Sequence, residues 1–191
     1  MTEIKKHIKS TLTLAYPVII GQLGFIMMGV VDSVMVGKLG ATPLAAASLA
    51  NGLFIFILII GIGISYAITP LVAISVGAEK HSEAGEIFHQ ALIIDLITGI
   101  ILMLLVFTCS DFLKYMNQPA GVVSQAKSYM NILGFSILPV MLFQTYKQFI
   151  EGLSFTRPAM VFSIVANLVN WFFNWVLIFG NLGFPEMGAA A

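Results

Sequence analysis

Charge is what this sequence has least of. Only 9% of its 191 residues are Asp, Glu, Lys or Arg, against about 25% in an ordinary soluble domain. Those few charges sum to zero, so no basic field draws the chain to nucleic acid, and no basic residues interleave with aromatics as a nucleic-acid surface requires. A single cysteine, Cys109, excludes an intramolecular disulfide. Chemistry-bearing motifs are equally scarce. There is no Ser/His/Asp or Cys/His grouping, no phosphate-cradling glycine loop and no hydrolase-type pair of carboxylates, so the reading is of a protein that is not an enzyme and needs no cofactor. His81 and His89 lack the spacing of a metal motif and read as surface histidines, which leaves no metal centre of the H-E-x-x-H kind.

Apolar residues fill the space. They make up 59% of the chain, with a mean hydropathy of +0.97. About 20 apolar residues in helical form cross a bilayer, and five runs qualify, at about 14–36, 44–76, 87–108, 128–150 and 159–179. Lys5, Lys6 and Lys9 ahead of the first run imitate a secretory leader. The run is longer than the 7–15 residues of a leader's apolar core and carries Gln22 and Asp32, so it reads as a retained span. Pro17 falls in the first turn of that span, where a missing N–H matters least. Gly61, Gly63 and Pro70 predict bending in the over-long second span. The charged stretch 77–86 reads as a solvated loop, 110–127 as a polar connection, and Pro139 as an interruption of the fourth span. The small residues at 188–191 read as a sixth helix just begun. The expected fold is an all-α, polytopic transmembrane helix bundle, five complete helices plus the start of a sixth, in one transmembrane domain over 1–191.

Orientation follows from Lys and Arg near the helix ends. With the N-terminus inside, Lys5, Lys6, Lys9, Lys80, Lys147 and Arg157 lie on the cytoplasmic side, and Lys38, Lys114 and Lys127 outside. Six against three favours a cytoplasmic N-terminus for this multi-pass protein of the cell membrane, the inner membrane in a Gram-negative cell.

Polar residues inside the spans carry the functional signal. Asp at the centre of a membrane helix costs about 2.5–3.5 kcal/mol on insertion scales and persists where something compensates it. Asp32 is such a residue. On the fifth span, at 100° per residue, Ser163, Asn167, Asn170 and Asn174 fall within about 60° of one another. Lipid cannot satisfy such a stripe, so it faces protein or a water-filled cavity, as packing glue or as a site. The first and fifth spans cross in the same direction. Asp32 lies five residues before Gly37 and Asn174 six before Gly180, so both sit about 7–9 Å inside the outer end, with Asn170 a turn deeper. A carboxylate with amide oxygens suits a small hard cation such as Na⁺; a desolvated carboxyl equally suits a proton. Lys147 and Glu151, four apart, can pair on one helical face near the cytoplasmic end. Asp95 lies inside the third span with no evident partner, and its role stays open. Ten methionines, among them Met27, Met28, Met35 and Met141, fit ordinary packing or a soft pocket for apolar ligands.

These residues together resemble the N-terminal lobe of multidrug and toxic compound extrusion (MATE) transporters. The resemblance covers nearly the whole chain. It rests on Ala15-Tyr16-Pro17, Val31-Asp32 with Met35-Val36-Gly37, Leu44-Ala45-Ala46-Ala47-Ser48-Leu49-Ala50, Thr69-Pro70-Leu71-Val72-Ala73 before Gly77-Ala78, Glu151-Gly152-Leu153 with Thr156 and Pro158, and Asn170 with Asn174 before Gly180, Gly183 and Pro185. It implies a Na⁺- or H⁺-coupled antiporter that expels amphiphilic, often cationic organic compounds by alternating access between two six-helix lobes. Asp32, Asn170 and Asn174 match the family's N-lobe cation or proton site. Some members carry Asp where Asn174 stands, which leaves the choice of coupling ion open. Glu151 matches a helix-four glutamate taken as structural or gating. The second lobe is absent from these 191 residues, so the expectation is a fragment of a longer chain or a lobe that pairs with a second copy. Two other readings are a flippase for lipid-linked sugars, disfavoured because Lys147 is the one basic group inside the membrane, and a non-transporting membrane subunit or remnant.

Overall fold

The structure is a computed structural model that describes residues 2–184; the start of a sixth helix expected at 188–191 lies outside them. Among the described residues every regular element is helical. α1 (Thr2–Gly37), α2 (Ala41–Ser65), α3 (Ile68–Gly77), α4 (His81–Phe112), α5 (Ala120–Gly152) and α6 (Thr156–Ile178) follow in order, with short 3₁₀ turns at Leu113–Tyr115 and Asn181–Gly183. α2 and α3 together make one span, so five spans cross.

Several boundaries differ from expectation, each for a physical reason. The charged ends of the helices are helical too: α4 begins at His81, and the expected 77–86 loop shrinks to a turn whose Glu79 takes a left-handed φ of 60°. The 110–127 connection shrinks likewise, because α5 starts at Ala120, directly after Pro119. α1 begins at Thr2, so Pro17 is in mid-helix, not in the first turn. Pro139 is also inside a helix and does not interrupt α5. Pro70 behaves otherwise. It cannot donate to the carbonyl of Tyr66, four residues back, and its ring crowds that carbonyl; the span breaks there, at Tyr66–Ala67, between α2 and α3.

The core forms where α2, α4 and α5 meet, around Phe54, Leu58, Leu102, Met130, Ile137 and Met141. Small residues set the spacing. A β-carbon at Gly61 would stand 2.7 Å from both Leu102 Cδ1 and Met141 Sδ, and one at Gly152 would stand 2.8 Å from Val72 Cβ and 2.9 Å from the Thr69 carbonyl. α3 packs on α4 and α5 at the other end, around Ile68, Val72, Ala84 and Ala91. α1 packs chiefly on α6. The pair joins the rest through Met35, Val36, Ala47 and Ile178. Outside these contacts the helices present Phe, Ile, Leu and Val outward, Phe56 and Ile74 among the most exposed. A surface of that kind needs hydrocarbon around it.

Candidate functional site: a carboxylate clasped by amides between the first and fifth spans

α6 presents a single polar face. Ser163, Asn167, Asn170 and Asn174 are the half-buried positions along it, while Val165, Leu168, Val169, Phe172 and Phe173 around them are exposed. That reverses the water-soluble pattern and suits a helix whose apolar faces meet lipid. α1 covers the polar face closely because it offers glycine there. A β-carbon at Gly21 would meet Ser163 Oγ at 3.5 Å, and one at Gly24 would meet Asn167 Nδ2 at 3.1 Å. Asn167 turns its amide back to the Ser163 carbonyl at 2.8 Å.

Two turns further along, the two helices exchange their one carboxylate–amide contact. Asn174 Nδ2 donates to Asp32 Oδ1 at 2.6 Å and lies 3.4 Å from Asn170 Oδ1. A short bond to a charged oxygen is the stronger kind, about 1.5–3 kcal/mol. Asp32, Asn170 and Asn174 are thus brought together, each half-buried. On its other side Asp32 borders a cleft of about 630 Å³ between α1 and α2, whose polar lining includes Ser33, Ser48, Asn51 and Tyr129. Neither Asn51 nor Tyr129 stands out in the sequence, since they lie on two different helices and nothing in their spacing aims them at Asp32.

Lys147 and Glu151 lie at the opposite end of the bundle, near the end of α5, and do not join this site. Their side chains are about nine-tenths buried. Lys147 Nζ and Glu151 Oε1 stand 3.9 Å apart, close enough to attract and too far to hydrogen-bond. Glu151 Oε1 and Gln148 Nε2 beside it have no hydrogen-bond partner. Gln148 does take a hydrogen bond from Thr69 of α3, whose Oγ1 is 2.6 Å from Gln148 Oε1. His81 and His89 are exposed on the first turns of α4. Met141 is fully buried in the core and Met27 faces outward, which matches packing rather than a shared pocket.

Asp95 does have partners. It is 1% exposed, and its Oδ2 accepts from Ser65 Oγ of α2 at 2.8 Å and from Thr145 Oγ1 of α5 at 2.6 Å. Nothing in the sequence signals this grouping, because the three residues lie on three different helices.

Long apolar helices around a sheltered carboxylate–amide contact define a polytopic membrane protein. Comparison with known proteins supplies the family: the MatE family model matches residues 17–176, and the chain belongs to that family. It is 34% identical to the multidrug resistance protein NorM of Vibrio vulnificus over 98% of this chain and 41% of that protein. The NorM of Photobacterium profundum is 31% identical over the same shares. The chain therefore spans about two fifths of the length of these relatives. Among solved structures, a eukaryotic MATE transporter, AtDTX14, superposes with a TM-score of 0.88 at 22% identity, over 97% of this chain and 41% of that one. An outward-facing multidrug resistance MATE family transporter of the MOP superfamily superposes with a TM-score of 0.86 at 23% identity, over 95% and 40%. At these identities the structures speak for the fold.

Proposed function

We propose that this chain acts as the N-terminal, cation-binding lobe of a secondary multidrug antiporter, a single transmembrane unit over residues 1–191 that works with a C-terminal lobe or a second copy. Amphiphilic or cationic organic compounds are its substrates, and Na⁺ or H⁺ is the coupling ion. The contact between Asp32 and Asn174 carries this reading, because it puts the carboxylate of one span under the control of the neighbouring span that shares its direction.

As the site stands, Asn174 gives its N–H to Asp32. Holding Na⁺ requires oxygen instead. A half-turn of the Asn174 amide exchanges donor for acceptor, and Asp32, Asn170 and Asn174 then offer oxygens to one cation. A proton on Asp32 has a parallel effect: it removes the charge that Asn174 serves. Either ligand changes the α1–α6 contact, and an ion drives alternation only through such a difference between states. Lys147 and Glu151, at the far end, are a structural or gating pair. The cluster of Lys5, Lys9 and Arg157 around one groove at the beginning of α1 and α6 supports a cytoplasmic N-terminus.

Trp171 and Trp175, the two tryptophans of the chain, neighbour Asn170 and Asn174 on α6 and report on the site. Purified protein in lipid nanodiscs is expected to change its tryptophan fluorescence when Na⁺ replaces choline, or when pH falls, and Asp32→Asn is expected to abolish the change. In vesicles holding the complete transporter, the same substitution should stop gradient-driven efflux of a cationic dye at unchanged expression. Undiminished efflux by Asp32→Asn would refute the assignment.

A further inference from the structure

Asp95 is distant in sequence and in contacts from the Asp32 site, and nothing above uses it. It is the most enclosed ionisable group among the described residues that belong to no ion pair. An enclosed carboxylate without a cation is costly in hydrocarbon, and it persists when hydrogen bonds or a proton compensate it.

The surroundings of Asp95 offer no charge. α2 and α3 carry no ionisable side chain. On α5, Tyr146 is exposed, and Lys147 and Glu151 face each other. On α4 itself, Glu86 and His89 are exposed toward the beginning of the helix, and Cys109 and Asp111 lie near its end. Tyr66, beside Ser65, accepts from Gln22 of α1 at 3.1 Å. The partners of Asp95 are therefore two hydroxyls, and each of them has an alternative. Ser65 Oγ lies 3.2 Å from the Gly61 carbonyl, and Thr145 Oγ1 lies 3.0 Å from the Met141 carbonyl.

We propose that Asp95, Ser65 and Thr145 form a second proton-binding site, separate from Asp32, that ties the end of α2 and the middle of α5 to α4. A hydroxyl has one hydrogen to give. With Asp95 ionised, both hydroxyls donate to Oδ2. With a proton taken from water onto the carboxyl, Asp95 donates to one hydroxyl, and both hydroxyls turn to their own helix carbonyls. In both states Oδ2 and the two hydroxyls keep hydrogen bonds without moving a heavy atom, as reversible proton binding in a closed site requires. A metal ion fits poorly. Hard cations such as Ca²⁺ and Mg²⁺ take about six or more oxygens, and the side chains gathered here are one carboxylate and two hydroxyls, so further oxygens would have to be drawn in. The tight packing of Gly61 and Gly99 against Leu102, Leu138 and Met141 resists that. Ser65 is also the last residue of α2 before the break, so the proton changes how that break is held.

The chain has three aspartates, Asp32, Asp95 and Asp111, which makes the site addressable without altering it. Aspartate labelled with carbon-13 at the side-chain carboxyl is incorporated, and Asp32→Asn with Asp111→Asn leaves the Asp95 resonance alone. In nanodiscs that resonance is expected to move between its ionised and neutral positions as pH is scanned across the range in which the chain stays folded. Ser65→Ala and Thr145→Val each remove a donor to the charged form, so each should move the midpoint to more alkaline pH. Amide exchange at Tyr66 and Ala67 should follow the same midpoint. A resonance fixed at one position throughout, or a midpoint that ignores both hydroxyl variants, overturns the proposal.

Discussion

A single carboxylate decides little until its neighbours are counted, and the two aspartates inside the spans, half-buried Asp32 and buried Asp95, differ in what surrounds them. Asp32 faces amides that can turn, beside an open cleft; Asp95 faces hydroxyls in a closed core. The first was legible in the sequence because the angular arithmetic of one helix reveals the Ser163–Asn174 stripe, and depth counting on two same-direction helices matches Asp32 to Asn174. The partners of Asp95 were not legible, since they depend on how three helices are rotated about their own axes. Glycine positions give a sharper residue-scale test. Gly152→Ala pushes a methyl against Val72 and the Thr69 backbone, and should destabilise the chain by about 1–3 kcal/mol. Gly85→Ala meets nothing within 4 Å and should be neutral or stabilising by up to about 1 kcal/mol. Unfolding in detergent, followed by circular dichroism for both variants, separates the two outcomes.

Among the elements, three prolines fall inside the spans away from their ends, Pro17, Pro70 and Pro139, and only Pro70 accompanies a break. Sequence located all three and misjudged two, because a proline removes one donor whatever its context, while the outcome depends on whether the orphaned end finds other partners. Around Pro70 the chain tightens to an i−3 bond from Ala67 N to the Ile64 carbonyl at 3.1 Å, and the side chains beside the break bond outward, Ser65 to α4 and Tyr66 to α1. Pro70→Ala returns the missing N–H to the Tyr66 carbonyl. It is expected to join α2 to α3, slow amide exchange across 66–70, and weaken the Ser65 and Tyr66 side-chain bonds. Hydrogen exchange with mass spectrometry measures the first effect directly; unchanged exchange there would show that the break does not arise from the proline.

At the scale of the whole molecule, the five spans and their order were readable from composition and run length, because a bilayer demands about 20 apolar residues per crossing. Their ends were not, since the helices continue past the apolar runs wherever backbone donors have no better partner. Orientation has a direct test. With Cys109 replaced by Ser, a cysteine at position 118 between α4 and α5 should react with an impermeant maleimide added outside intact cells. A cysteine at position 80, between α3 and α4, should react only after permeabilisation. The opposite pattern would invert the topology.

The break between α2 and α3 has one more consequence. Ser65 and Tyr66 are successive residues, so their side chains leave the helix about 100° apart, one toward α4 and the other toward α1. Twisting this joint to relax one contact strains the other. Whatever repositions α1 is thereby felt at α4, and thermodynamic linkage makes the energy the same in both directions.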